Sequence, residues 1–203
     1  MTEFKFDIFD SISEVSKLNF IPLSHHLWGE DYPCFFESRA GVCLIKNKGV
    51  YVVMMSDEPC PRAVYTKRDD PIYKDSCLEF FFQPFADDER YINFEINPNG
   101  AYLSEVGTQR YDRKFIAQIT ESEPVVKVVD TPIGWGVSLF VPEQLISDVF
   151  GKKFSTADSA YIRANFYKCG EETDYPHFSS AFFVNTPTPD FHRPEYFGKI
   201  YLS

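Results

Sequence analysis

A chain of 203 residues with a formal net charge of −10 and a pI near 4.9 can bury a substantial core as one domain, spanning residues 1–203. Its acidity would repel a polyphosphate backbone and release few counterions, which excludes nucleic acid as a partner. The 21 Phe, 12 Tyr and 2 Trp favour pleated, packed surfaces, and the 14 Pro and 10 Gly supply turns, a composition suited to a sandwich or barrel.

Phe4, Phe6 and Ile8 alternate with polar neighbours as an opening strand, and a brief helical stretch is expected over Ser11 to Leu18. Two extended runs, Phe35 to Lys46 and Val50 to Ser56, flank Asn47-Lys-Gly49 and predict a hairpin with Gly where a positive φ is convenient. Glu58 to Asp75 carries three prolines and both charges, and reads as a long surface excursion. Strands follow on either side of Phe85 to Glu89, and Asn97-Pro-Asn-Gly100 turns the chain into Ala101 to Val106. Val125 to Val129 and Trp135 to Val141 predict another hairpin, with Trp135, Val137, Leu139 and Val141 facing the core. Pro142 to Gly151 fits one short helix, Pro at its first turn and Gly past its end. Tyr161 to Cys169, Phe178 to Val184 and Lys199 to Leu202 complete an all-β, antiparallel sandwich, immunoglobulin- or jelly-roll-like, with one or two short helices.

The five cysteines, Cys34, Cys43, Cys60, Cys77 and Cys169, are odd in number, widely spaced and without C-x-x-C, so they outline neither a disulfide framework nor a zinc site. Most are expected to be reduced and buried. Residues 1–20 carry acids rather than a basic leader, and no apolar stretch approaches the ~18 residues of a membrane span. The expectation is a soluble chain, cytoplasmic if full length and extracytoplasmic if a signal peptide was removed.

The densest signal lies between Asp75 and Gly107. Leu78, Phe80 and Phe82 alternate with Glu79, Phe81 and Gln83, and Ile92, Phe94 and Ile96 alternate with Tyr91, Asn93, Glu95 and Asn97. Two neighbouring strands would thus send one apolar set inward and a polar or aromatic set outward, onto a face able to hold a polar ligand.

Five segments in order resemble the family 9 carbohydrate-binding modules, which share a sandwich with DOMON-type sugar and haem domains. They are Gly49-Val-Tyr-Val-Val53, Tyr73 to Phe82, Tyr91 to Asn97 with Gly100, Gly134-Trp-Gly-Val-Ser138 with Val141-Pro142, and Arg163-Ala-Asn-Phe-Tyr167 closing into Asp190 to Gly198. The resemblance implies non-catalytic saccharide binding, with a terminal sugar between two aromatic rings. Tyr73 stands at the first ring position, and Phe182 or Phe183 near the second, where Trp is more usual. The family carboxylate falls on Glu79, and the basic residue of the next strand is replaced around Asn93 and Glu95. Glu79, Asn93, Glu95 and Asn165 are of the types that pair with vicinal hydroxyls.

Other chemistries have thinner support. Glu79 and Glu95 could meet the spacing of a glycosidase pair, but no cleft-forming insertion or second motif accompanies them, so no enzyme is expected. Haem would need Met54 or Met55 with His177 or His192, and a strand-end Met more often fills a core. Calcium could use Asp87-Asp-Glu89, a run that otherwise reads as a solvated acidic turn. The expectation is no metal and no cofactor, with a saccharide or other polyhydroxylated ligand as partner. A sandwich that kept the fold but turned to a protein partner is the alternative.

Overall fold

The computed structural model describes residues 4–6, 8–157 and 161–202. The chain begins with β1 (Phe4–Phe6) and β2 (Ile8–Phe9), and a 3-10 turn over Ile12–Lys17 leads to β3 (Ile21–Pro22) and β4 (His25–His26). The hairpin β5 (Ser38–Ile45) and β6 (Gly49–Ser56) precedes the excursion that ends in a 3-10 turn at Ile72–Lys74. Then come β7 (Ser76–Gln83), β8 (Tyr91–Ile96), β9 (Tyr102–Gly107) and the edge strand β10 (Lys114–Phe115). A second hairpin, β11 (Val125–Val129) and β12 (Trp135–Pro142), runs into α1 (Glu143–Phe150), followed by β13 (Tyr161–Gly170), β14 (His177–Ser180) and β15 (Gly198–Leu202).

Among the described residues the strands form two sheets. The larger has nine strands in the order β1-β15-β13-β7-β8-β9-β10, with β14 on β13 and β4 on β14; the smaller has six, β11-β12-β6-β5-β2, with β3 also on β5. Most pairs are antiparallel, while β1 on β15 and β2 on β5 are parallel. The opening stretch therefore does not make one strand: β1 joins the larger sheet and β2 the smaller, so the chain crosses between the layers.

The period-two patterns set the packing between the layers. Leu78, Phe80, Phe82, Ile92, Phe94 and Ile96 point inward and meet Val137, Leu139, Val141 and Trp135 from the opposite sheet. Phe80 stacks on Phe82 and Phe166 with ring centroids 4.8 and 5.1 Å apart. α1 closes one end of this core through Leu145, Ile146, Val149 and Phe150. It stops at Gly151, whose φ of 67° is the left-handed conformation that glycine adopts without a Cβ penalty.

Local detail adds to or departs from expectation in three places. In the β5–β6 turn Asn47 is left-handed, with φ 56°, in addition to the positive φ of 158° at Gly49, where a Cβ would also run into the Val141 carbonyl of β12. β14 ends at Ser180 rather than at Val184. Beyond it, the Asn165 side chain takes over the ladder, accepting from the Phe182 N–H at 3.0 Å and donating to the Phe182 carbonyl at 2.9 Å. The two-residue strands β3, β4 and β10 are too short to leave a periodic signal.

The outer face of the larger sheet is not a solvated surface. Phe81, Tyr91, Tyr167, Cys77 and Cys169 are buried there together with Phe178 of β14 and with Ile72, Phe191 and Phe197 from the covering segments. No helix among the described residues is long and apolar enough to cross a membrane.

Candidate functional site

The covering loops leave an opening onto that outer face, a cavity of about 500 Å³. Its floor is the sheet itself, where Glu79 on β7 stands opposite Glu95 on β8 and Tyr167 on β13. Three loops make the walls: the excursion before β7 supplies Asp69 and Tyr73, the β9–β10 connection supplies Arg110, Tyr111 and Arg113, and the stretch after β13 supplies Glu171 and Asp190 to His192.

Asp75 holds the first wall in place. Fully buried, it accepts from the Val64 and Tyr65 N–H groups at 2.9 Å each, from Asn97 Nδ2 at 2.9 Å and from the Arg62 guanidinium. Ser76 ties the base of the same loop, donating to Glu58 Oε1 at 2.7 Å and accepting from the Arg62 N–H at 2.9 Å. The Asp-Ser pair that opens β7 is thus a clasp for the loop bearing Tyr73.

Arg113 occupies the place where the strand sequence offers no base. Its side chain is 4% exposed, lies 4.4 Å over the Tyr91 ring, donates through Nε to Asn93 Oδ1 at 3.0 Å, and pairs with Glu105 at 3.6 Å. Asn93 passes the polarity on, donating from Nδ2 to Glu95 Oε1 at 2.8 Å. Glu95 Oε2 is buried and has no hydrogen-bond partner. Burial raises the Glu95 carboxyl to about 7, against the lowering effect of the Asn93 hydrogen bond. Burial also drives Glu79 well above the usual carboxylate range, helped by its neighbours Cys169 and Glu95. Burial and nearby Arg113 hold His192 well below its ordinary value, so it is neutral, and its Nδ1 shares a hydrogen bond with the Tyr91 hydroxyl at 2.9 Å.

Of the residues expected at the site, Tyr73, Glu79 and Glu95 line the cavity. Asn93 lies just beneath, linking Arg113 to Glu95. Asn165 and Phe182 do not join them. Asn165 is fully buried and its amide is spent on the Phe182 backbone. Phe182 turns inward, packing in the core between the sheets against Gly198, which has no side chain to block the ring. Phe183, the neighbouring ring, is 55% exposed and contacts His25 edge-on at 5.7 Å, away from the cavity lining. Sequence reasoning missed Arg110, Tyr111, Arg113, Glu171 and His192. The basic run Arg110 to Lys114 has acids close by in the chain, among them Asp112 within it, which is the pattern of a solvated loop.

The metal and cofactor candidates fall in separate places. Cys77, Glu79 and Cys169, two of them from opposite positions on β7 and β13, offer ligand atoms within 4.8 Å of one another. All three are buried, and Cys169 Sγ donates to Glu79 Oε1 at 2.9 Å. Burial raises Cys77 to about 12, and the hydrogen bond with Cys77 together with burial holds Cys169 well above the ordinary thiol range, so neither sulfur rests as the thiolate that a metal would need. All five cysteines are free, and Cys43, Cys77 and Cys169 are buried. In the acidic turn Asp87 pairs with Lys152 and Asp88 with Arg90, each at 2.7 Å, so two of its three charges are already met. Met54 lies between the sheets, Met55 on the outside of the smaller one and His192 by the cavity. His177 is engaged with Lys168 Nζ and the Tyr175 carbonyl.

A two-layer β-sandwich whose covered face opens into an acid- and aromatic-lined cavity of about 500 Å³ has the form of a ligand-binding module. Residues 7–202 match the model of the family described as carbohydrate-binding family 9, and the chain belongs to that family, whose modules are non-catalytic. Among solved structures it is similar to a candidate carbohydrate-binding protein from Bacteroides uniformis ATCC 8492, at 23% identity and a TM-score of 0.82, covering 100% of this chain and 99% of the other. It is also similar to a family 9 module from Caldicellulosiruptor kristjanssonii in complex with cellotriose, at 10% identity and a TM-score of 0.67, covering 99% and 93% of the two chains. The same family 9 description with glucose matches at 11% identity and a TM-score of 0.67, covering 100% and 96%. At these identities the likeness is one of fold. No curated protein matches the chain.

Proposed function

We propose that the chain holds a saccharide in the cavity over β7 and β8 without transforming it. The observation that carries this reading is Glu95 Oε2, a buried carboxylate oxygen with no protein partner on a cavity floor. Leaving such an oxygen dry costs about 1–3 kcal/mol, which a ligand hydroxyl recovers by donating to it. Glu79 offers a second acceptor beside it, and Arg110, its side chain 43% exposed, supplies donors from the wall. The ring of Tyr73, partly buried at the wall, and that of Tyr111, 90% exposed at the mouth, are the faces on which sugar C–H groups would stack. Membership in a carbohydrate-binding family and likeness to modules described with cellotriose and glucose support the same reading.

Two or three hydrogen bonds at about 1 kcal/mol each and one or two stacked rings give micromolar to millimolar binding, as suits a targeting module. Calorimetric titration of mono- and oligosaccharides tests the proposal. Tyr73→Ala should weaken the best ligand about tenfold, or ~1.4 kcal/mol. No heat with any saccharide across a broad panel would end it.

A protein-binding role has its own observation. A second hollow of about 640 Å³ on the other sheet is lined by Phe35, Met55 and Ile133, of which Phe35 is 54% and Ile133 71% exposed. Substituting Ile133→Asp without changing sugar affinity, while abolishing capture of a partner, would favour that role.

A further inference from the structure

The cavity's charges do not balance. Arg113 is matched by Glu105 at 3.6 Å and Arg110 by Asp190 at 3.9 Å, while Asp69 has Arg68 at 3.5 Å. Glu79, Glu95 and Glu171 also line the cavity, and among the described residues none of them has a basic group within ion-pair distance. Two of these three stand directly across from each other on the floor, and one of those presents the buried, unpartnered Oε2.

A neutral sugar answers only part of this arrangement. A hydroxyl donates one hydrogen bond to Oε2 but brings no charge, so Glu79 and Glu95 still cannot both ionise side by side. A protonated amine on the sugar ring brings three donors and a positive charge to the same point, as a lysine ammonium would. An N-acetylated amine brings a single N–H and no charge. From this juxtaposition, and resting on the saccharide reading above, we infer that the cavity selects a cationic, unacetylated amino sugar, its ammonium seated between Glu79 and Glu95.

Ionisation gives the inference a second readout. Glu95 is faced by Glu79 on β7, Glu105 on β9, Arg113 from the β9–β10 connection and Glu171 after β13; Glu105 and Glu171 raise it and Arg113 lowers it. With its carboxyl at about 7, Glu95 is largely protonated at mildly acidic pH in the empty cavity. An ammonium seated against it favours the carboxylate, so binding must release a proton to solution.

The test compares glucose with glucosamine and N-acetylglucosamine, and galactose with galactosamine, by calorimetry at about pH 6 in two buffers of different ionisation enthalpy. At least one amino sugar is expected to bind about tenfold or more tightly than its neutral counterparts, with the advantage shrinking as salt rises and with proton release that the neutral sugars lack. Glu95→Gln, with folding verified by circular dichroism, should bring the ratio of amino to neutral affinity close to one and remove the proton release. Neutral sugars binding as well as their amino forms, or a preference that survives Glu95→Gln, would overturn the inference while leaving saccharide binding intact. Binding of no sugar at all, neutral or amino, would instead remove the saccharide reading on which it rests.

Discussion

The two faces of the nine-stranded sheet are built from the same strands, one residue out of step, and both are buried. Inward, β7 and β8 present Leu78, Phe80, Phe82, Ile92, Phe94 and Ile96 to the other sheet. Outward, they present Glu79, Phe81, Asn93 and Glu95 to loops that roof them over. The inner face gains free energy from every apolar contact. The outer face gives some back by holding carboxyls in a dry place with their charge unmatched. Burial alone therefore does not distinguish core from site. What distinguishes them is whether the buried groups are satisfied.

The largest expected effect lies on the inner face. Phe80→Ala should lower stability by about 3–5 kcal/mol in denaturant unfolding, because a fully buried ring stacked on two others leaves a cavity that the strands cannot close. A loss under about 1 kcal/mol would blur the contrast between the faces.

On the roof of the outer face, Asp75→Asn should cost about 3 kcal/mol, since it removes one member of a buried charge pair with Arg62 and upsets the clasp of two backbone N–H groups. Sugar affinity should fall with it because Tyr73 rides on that loop. Urea unfolding and calorimetry on the same variant check both parts.

The outer floor should show its strain as a pH dependence. The Glu95 carboxyl rises from 4.5 to about 7 on folding, so the folded state binds the proton more tightly than the unfolded chain does. Its contribution is fully present below the unfolded value and is lost as pH climbs through the folded one. Unliganded protein should lose on the order of 2–3 kcal/mol of stability between about pH 5 and pH 8. Glu79, raised in the same direction, adds to that slope, while Asp88, lowered by Arg90, acts oppositely and at more acidic pH. Glu95→Gln should flatten the profile, and a flat profile in the unaltered chain would mean that the outer carboxyls are not held dry.

The smallest effect belongs to neither face. Gly151→Ala places a Cβ in a left-handed conformation at the end of α1 and should cost about 1 kcal/mol, read as a small drop in Tm with sugar binding unchanged.

Much of the sandwich was legible before any coordinates. The alternation in β7, β8 and β12 assigns the correct residues to the inner core, and the Pro142 and Gly151 boundaries frame α1. Tyr73, Glu79 and Glu95 were legible as site residues in the limited sense that they meet at one cavity. Phe182 was not, because the alternation of β14 stops where Asn165 replaces its ladder partner, and a side chain's choice between backbone and ligand leaves no periodic trace. Arg113 was hidden for a related reason: its partners Asn93, Tyr91 and Glu105 lie on β8 and β9, and a charged loop residue looks the same in sequence whether it faces water or folds back over a sheet.

The amino-acid sequence alone determined the two-faced strands, the turns between them and the acidity of the outer set, because these follow from periods of two and from local backbone preferences. Tertiary structure alone decided that the outer set would be roofed, which acids would find a base and which oxygen would be left without a partner. Those outcomes depend on loops far apart in the chain converging on one patch, and no local rule carries that information.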